Sequence, residues 1–245
     1  MKPTKEKMIS ILKAGKVKVW NRWRRMTGYA PVDLDFASLD GAFLDGANLN
    51  FASLNEANLN RASLHFASLD FASLVRASLD ESNLNRASLV RASLDFASLD
   101  FASLVRASLD FASLDFASLD GANLDFASLV RASLDFASLN GTNLNGTNLD
   151  FASLDGAKLH RASLHGTNLH GTNLDFASLQ FSYKTLKAKF DEKHIIQYLF
   201  HGAKPCQYHP DIVKDKDLKR LLKLKTFRKV VNKFHRAKEC GKFEF

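Results

Sequence analysis

Proline is missing from residues 32–181; the chain's four prolines are Pro3, Pro31, Pro205 and Pro210. With neither a breaker nor an insertion in that stretch, a surface loop grafted onto it is excluded. Cysteine is scarce, two in 245 residues. That count argues against a disulfide scaffold, and a reducing cytoplasm is the expected setting. No run of 18 apolar residues occurs, so no transmembrane helix is expected. The N-terminus lacks the short apolar core of a signal peptide. No phosphate-binding glycine loop is present. Serine is abundant but recurs at a fixed spacing, with no unique Ser beside a His/Asp pair. A nucleophile needs a base and an orienting group held in one place. The chain therefore reads as a non-enzyme without a cofactor.

What the sequence does contain is a period. Leucine falls at every fifth residue from Leu34 to Leu179, thirty in succession. The position two before each Leu is Ala, or otherwise Val32, Ser82, Thr142, Thr147, Thr167 or Thr172. Five residues of α-helix advance about 140° net, which would smear the leucines around the helix. In a flat strand an odd spacing would send successive leucines to opposite faces. Neither element buries all thirty. A chain that turns a corner every five residues does, with each Leu and the small residue two before it facing a common axis. Self-similarity of this kind marks a solenoid.

A typical unit reads Ala67-Ser68-Leu69-Asp70-Phe71, and others read Ala47-Asn48-Leu49-Asn50, Ala57-Asn58-Leu59-Asn60 and Ala122-Asn123-Leu124-Asp125. Over residues 32–181 this pattern resembles the pentapeptide-repeat family: a small residue, a polar one, Leu or Phe, then two variable positions. The resemblance implies a mainly β fold, a right-handed quadrilateral β-helix with four pentapeptides per coil. The thirty repeats would then make about 7.5 coils, a rod roughly 36 Å long at about 4.8 Å per coil. Residues 1–30 are expected to form a basic N-terminal capping helix, 31–181 the rod, and 182–245 a basic C-terminal helical cap.

Charge is segregated along the chain. Residues 1–30 carry net +8, residues 31–180 net −10 and residues 181–245 net +10. The overall excess of positive charge suggests nucleic-acid binding, but the acidic rod weakens that reading. With four repeats per coil, residues 20 apart stack, so Asp95, Asp115, Asp135, Asp155 and Asp175 form one column and Asp80, Asp100 and Asp120 another. Two readings stand for these carboxylates. They are either solvated turn residues, or a recognition face whose mutual repulsion a basic partner would relieve. Two positions after Leu the sequence holds Phe in many repeats and Arg or Gly in others. Phe96, Phe116 and Phe136 are expected to stack beside the Asp column, either as corner packing or as an exposed contact strip for a partner or for self-association.

At the N-terminus, Met8–Met26 reads as a basic amphipathic helix interrupted by Gly15, with Leu12, Val19, Trp20 and Trp23 on its apolar side. Trp20, Asn21, Trp23 and Arg24 resemble a Trp-Asn-x-Trp-Arg lead-in found before some bacterial pentapeptide repeats. That resemblance implies a helix folded over the first coil; binding to an anionic membrane surface is the competing reading. Beyond Phe181, helices are expected at 185–200 and 217–239. Cys206, His209, His235 and Cys240 are spaced like two halves of a zinc site, though 25 residues separate the halves. His160, His165 and His170 would point to different sides of the rod.

Three functions follow as expectations. The first is a scaffold that binds an unidentified protein through the Asp and Phe columns. The second comes from the family resemblance: some members resemble B-DNA in width and charge and bind type II topoisomerases. Arg76, Arg91, Arg106 and Arg131 interrupt the acidic surface and count against it. The third is tethering to nucleic acid or an anionic membrane through the basic ends.

Overall fold

The structure, a computed structural model, describes residues 3–178. Two helices lead into the repeats: α1 (Lys5–Lys13) and α2 (Val17–Met26). Thr4 caps α1, its hydroxyl accepting from the Lys7 N–H at 3.3 Å. Gly15, at φ +61°, ends that helix. The Lys16 N–H reaches back five residues to the Ile11 carbonyl and the Gly15 N–H reaches Leu12, a Schellman closure that needs a left-handed residue. The single interrupted helix expected from the sequence is thus two helices.

The repeats begin with β1 (Val32–Asp33), paired in parallel with β2 (Ala52–Ser53). From there single residues bridge in parallel at a constant offset of 20, from Ser38↔Asn58 to Lys158↔Ser178. Each coil therefore takes four pentapeptides, and each residue sits over its counterpart 20 positions earlier. The repeat leucines from Leu34 to Leu174 are at most 5% exposed, and the small residues two before them line the same core. Each buried Leu contributes about 2 kcal/mol relative to an exposed one. The threonines of the small column remain compatible with burial because each hydroxyl finds a carbonyl one coil away. Thr142 donates to Leu119 at 2.7 Å and Thr147 to Leu124 at 2.9 Å.

Backbone pairing fixes the corners. Ala97 N–H donates to Leu94 C=O at 3.0 Å, closing a four-residue turn whose third residue, Phe96, has φ +60°. This is the type II class, which ordinarily takes Gly at that place. Here the corner residue is left-handed in every described repeat, from Phe36 to Phe176, whether it is Phe, Arg, Glu or Gly. A non-glycine residue there costs about 1 kcal/mol, so something at each corner offsets strain that repeats along the whole rod.

The helices lie against the start of the rod. Trp20 Nε1 donates to Asn48 O at 2.8 Å, and Asn21 makes a reciprocal pair, donating to Gly46 O and accepting from Asn48 N, both at 2.8 Å. Arg24 is fully buried and donates to the carbonyls of Tyr29, Ala30 and Asn50. Burial lowers the pKa of its guanidinium. Val19, expected on the apolar side, is 54% exposed, and Arg24 takes the buried position instead. The reason is geometric: the chain leaving α2 presents carbonyls to that face, and a guanidinium satisfies several at once.

Candidate interaction surface

Each coil has four corners. Following the chain through residues 96, 101, 106, 111 and 116 passes all four and returns to the first, so the Phe96 corner is diagonal to the Arg106 corner. Four straight columns of corner residues run up the rod, separated by flat faces that carry the Ser and Asp columns.

Four of the five backbone N–H groups in a repeat are taken by backbone carbonyls. In the central coils Leu94 donates to Ser113 at 2.7 Å, Phe96 to Asp115 at 2.9 Å, Ala97 to Leu94, and Ser113 back to Ala92 at 3.0 Å. The fifth, on the residue after Leu, has no backbone partner in this pattern, and the Asp column supplies one. Asp95 Oδ1 accepts from the Asp115 N–H at 3.2 Å and from the Ser113 hydroxyl. Asp115 Oδ1 does the same for Asp135 N (3.0 Å) and Ser133, and Asp135 Oδ1 for Asp155 N (3.0 Å) and Ser153. Asn does this equally well, because only Oδ1 is used: Asn85 accepts from Ser103 at 2.7 Å and from Val105 N at 2.8 Å. The Asp column is therefore a structural ladder through one oxygen. The second oxygens of Asp115 and Asp135 make no hydrogen bond with the described residues.

The ladder has a switch that sequence reading missed. Where Asn replaces Ser two positions before, its own Oδ1 takes the fifth N–H locally. Asn145 N bonds Asn143, His170 N bonds Asn168 and Asp175 N bonds Asn173. The Asp one coil earlier then loses both donors. Asp40, Asp125, Asp150 and Asp155 stand at such places; Asp40 is exposed, and each of the other three has a buried Oδ1 without a hydrogen bond. The offsets of 2, 18 and 20 residues among Ser, Asn and Asp are visible in the sequence, and they acquire meaning only once the fifth N–H is seen to lack a backbone partner.

At the corners the rings lean along the rod axis. Phe96, Phe116 and Phe136 stack with centroids 5.0 and 5.1 Å apart and planes within 10°. Each is 52–53% exposed, so one side of the ladder faces solvent. The stack ends at Gly156, where a Cβ would lie 2.6 Å from Phe136 Cδ1; glycine lets the last ring fold onto the backbone. The Phe111 corner holds a longer series. Phe51 stacks on Phe71 at 5.0 Å, Arg91 lies 5.5 Å from both Phe71 and Phe111, and Arg131 lies 5.8 Å from Phe111 and 5.7 Å from Phe151. Arg91 and Arg131, read from the sequence as interruptions of charge, are rungs of this ladder. These ring and guanidinium contacts offset the cost of the left-handed corners.

Charge is uneven around the rod. The face between the Phe111 and Phe116 corners holds Asp95, Asp115, Asp135, Asp155 and Asp175, and the next face holds Asp80, Asp100 and Asp120. Arg91 and Arg131 sit on the Phe111 column at the border of the first face, Arg86 and Arg106 on the column diagonal to Phe96, and Arg76 lies 5.8 Å from Phe96 at the start of its stack. Among the described residues no group of three His, Cys, Asp or Glu side chains is placed to hold a metal, and no helix is long and apolar enough to cross a membrane. Cys206, His209, His235 and Cys240, and the helices expected beyond residue 181, lie outside the described residues.

The family model for pentapeptide repeats matches in 8 copies, over residues 32–65, 72–110, 87–125, 107–146, 127–166 and 152–182. This chain belongs to the pentapeptide-repeat family. The pentapeptide-repeat rod is accordingly a right-handed β-helix. HetL, a pentapeptide-repeat protein involved in heterocyst differentiation regulation in the cyanobacterium Nostoc sp. strain PCC 7120, is 32% identical. The match covers 65% of this chain and 78% of HetL, with a TM-score of 0.43. Rfr23, a pentapeptide-repeat protein of the cyanobacterium Cyanothece 51142, is also 32% identical, over 43% of this chain and 58% of its own, with a TM-score of 0.27. A trypsin-treated form of QnrB1, a plasmid-mediated fluoroquinolone resistance protein, is 14% identical over 60% of this chain and 74% of its own, with a TM-score of 0.43. No curated protein matches the pentapeptide-repeat chain.

Proposed function

We propose that this pentapeptide-repeat rod is a non-enzymatic scaffold that binds another protein along the Phe96–Phe116–Phe136 edge and the neighbouring Asp column. The observation that carries the reading is the stack of three half-exposed rings beside Asp115 and Asp135, whose ladder bonds use Oδ1 alone. Such an edge suits a partner that offers apolar groups flanked by Lys or Arg. The uniform ladder provides no place where a nucleophile, a base and an orienting group converge.

The test is affinity capture with three forms of the full chain. Phe116→Ser removes the central ring, and Asp115→Asn with Asp135→Asn removes charge while keeping the Oδ1 ladder. A partner captured by the wild type should be lost with Phe116→Ser and weakened at least tenfold by the double Asn variant. Undiminished capture by both variants, with melting temperatures unchanged, would sink the proposal. Recovery of a second copy of the chain would identify the edge as a self-association surface.

The continuous acidic column also favours a second reading, a DNA-like rod that engages a type II topoisomerase. A gyrase supercoiling assay, with and without a fluoroquinolone, separates the two. Inhibition or drug protection that disappears in the Asp115→Asn/Asp135→Asn variant would promote this reading, and no effect leaves the scaffold in place.

A further inference from the structure

Capping the rod and binding an anionic surface, alternatives when only the sequence of the lead-in is considered, fall on opposite sides of α2. The inner side is committed. Trp20 and Arg24 are fully buried, and with Asn21 they bond the backbone of the first coil. Asn21 also accepts from the Asn48 N–H, whose counterpart in the next coil, Ser68 N–H, reaches the Ala47 carbonyl one coil earlier. The helix therefore lies where a preceding coil would lie, and its outer side points away from the rod. At about 100° per residue, Lys18, Arg22 and Arg25 fall within about 60° of one another on that outer side, and all three are exposed. On the flank of this stripe Val19 and Met26 stand about two turns apart, 54% and 77% exposed. Apolar groups this exposed contribute little to the cap.

The charge around them is of one sign. Residues 3–30 contain eight Lys and Arg against a single acid, Glu6. Lys5 pairs with Asp33, and Arg24 is buried. Lys7, Lys13, Lys16, Lys18, Arg22 and Arg25 are exposed and belong to none of the ion pairs among the described residues. No acid lies on α2, so no carboxylate one turn away damps the stripe. The rod has the opposite character, net −10 over residues 31–180. A negative surface attracts the helical end and repels the remainder, and at about 0.1 M salt its field decays within about 10 Å.

We propose that the outer face of α2 docks on an anionic lipid bilayer, with the basic stripe against the head groups and Val19 and Met26 at the acyl boundary. A nucleic-acid backbone would match the cations, but only a bilayer also accepts the bare apolar pair beside them. With Trp20 held by the rod, the helix has no deep apolar face left to insert, so the contact is shallow, electrostatic and reversible. The rod then stands away from the membrane with its Phe96 edge uncovered. The inference does not depend on the scaffold reading.

Co-sedimentation of the full chain with vesicles of equal parts phosphatidylserine and phosphatidylcholine tests the proposal, with pure phosphatidylcholine vesicles and duplex DNA alongside. Binding to the anionic vesicles is expected, and it should fall as salt is raised. Lys18→Gln/Arg22→Gln/Arg25→Gln should bind at least tenfold more weakly. Arg86→Gln/Arg106→Gln/Arg161→Gln removes the same charge from the rod and should bind as the wild type does. Val19→Ser/Met26→Ser should weaken vesicle binding about threefold. Melting curves of each variant establish that the rod is intact. The proposal fails if the anionic vesicles are not bound, if pure phosphatidylcholine is bound as well, or if the α2 charge variant binds no more weakly than the rod variant. It also fails if the apolar variant binds undiminished, and DNA binding tighter than vesicle binding would assign the stripe to nucleic acid instead.

Discussion

At Asp155 the carboxylate oxygen that elsewhere holds the next coil has nothing to hold, because Asn173 has taken its donor. Replacing Asn173 by Ser returns both donors to Asp155. That variant should raise the unfolding free energy by about 1 kcal/mol in urea titration, and an unchanged midpoint would refute the switch. The same logic separates charge from structure at Asp115. Asp115→Asn keeps the acceptor and should alter stability by less than about 0.5 kcal/mol. Asp115→Ala leaves Ser133 and the Asp135 N–H without their acceptor and should cost about 1–3 kcal/mol. The sequence made the Asp column plain, and its spacing made the stacking plain. Its structural task was not legible, since composition cannot distinguish a solvated carboxylate from one that satisfies a backbone N–H. Arg24 was hidden for a related reason: a basic residue on a basic helix looks exposed until the carbonyls it serves are located.

At the scale of the column, strain and contact are distributed together. Every corner is left-handed, and in the Phe111 column the rings and guanidiniums that compensate touch the next coil. Arg91 contacts Phe71 on one side and Phe111 on the other, so a double-mutant cycle of Arg91→Gln with Phe111→Leu should give a coupling of about 0.5–1 kcal/mol. A coupling near zero would mean that the corners tolerate their conformation without help from these contacts. The Phe stack could be anticipated from residue numbers alone. The Phe–Arg series follows from the same arithmetic, but attention to net charge had classed its arginines as interruptions.

For the whole molecule, cohesion runs from coil to coil, and the first coil leans on α2 through Trp20, Asn21 and Arg24 and on α1 through Lys5, which pairs with Asp33. Removing residues 1–30 uncovers the first coil's Leu34 and its backbone edge. The truncated chain should associate into larger species by light scattering, while the full chain does not do so through this end. The leucine period and the small-residue column sufficed to read the core of the rod; the helix packing needed coordinates, because it depends on which carbonyls the chain leaves open. The offset of 20 residues has a further consequence. The core repeats every five residues, but the surface repeats only every twenty, so residue number modulo twenty is the phase of everything the rod displays. Gaining or losing four units changes its length and keeps each column aligned. Gaining or losing one unit is silent to the leucines yet acts as a frameshift for the exterior, turning all later residues by a quarter of the circumference and joining the Phe96 edge to a column of different character.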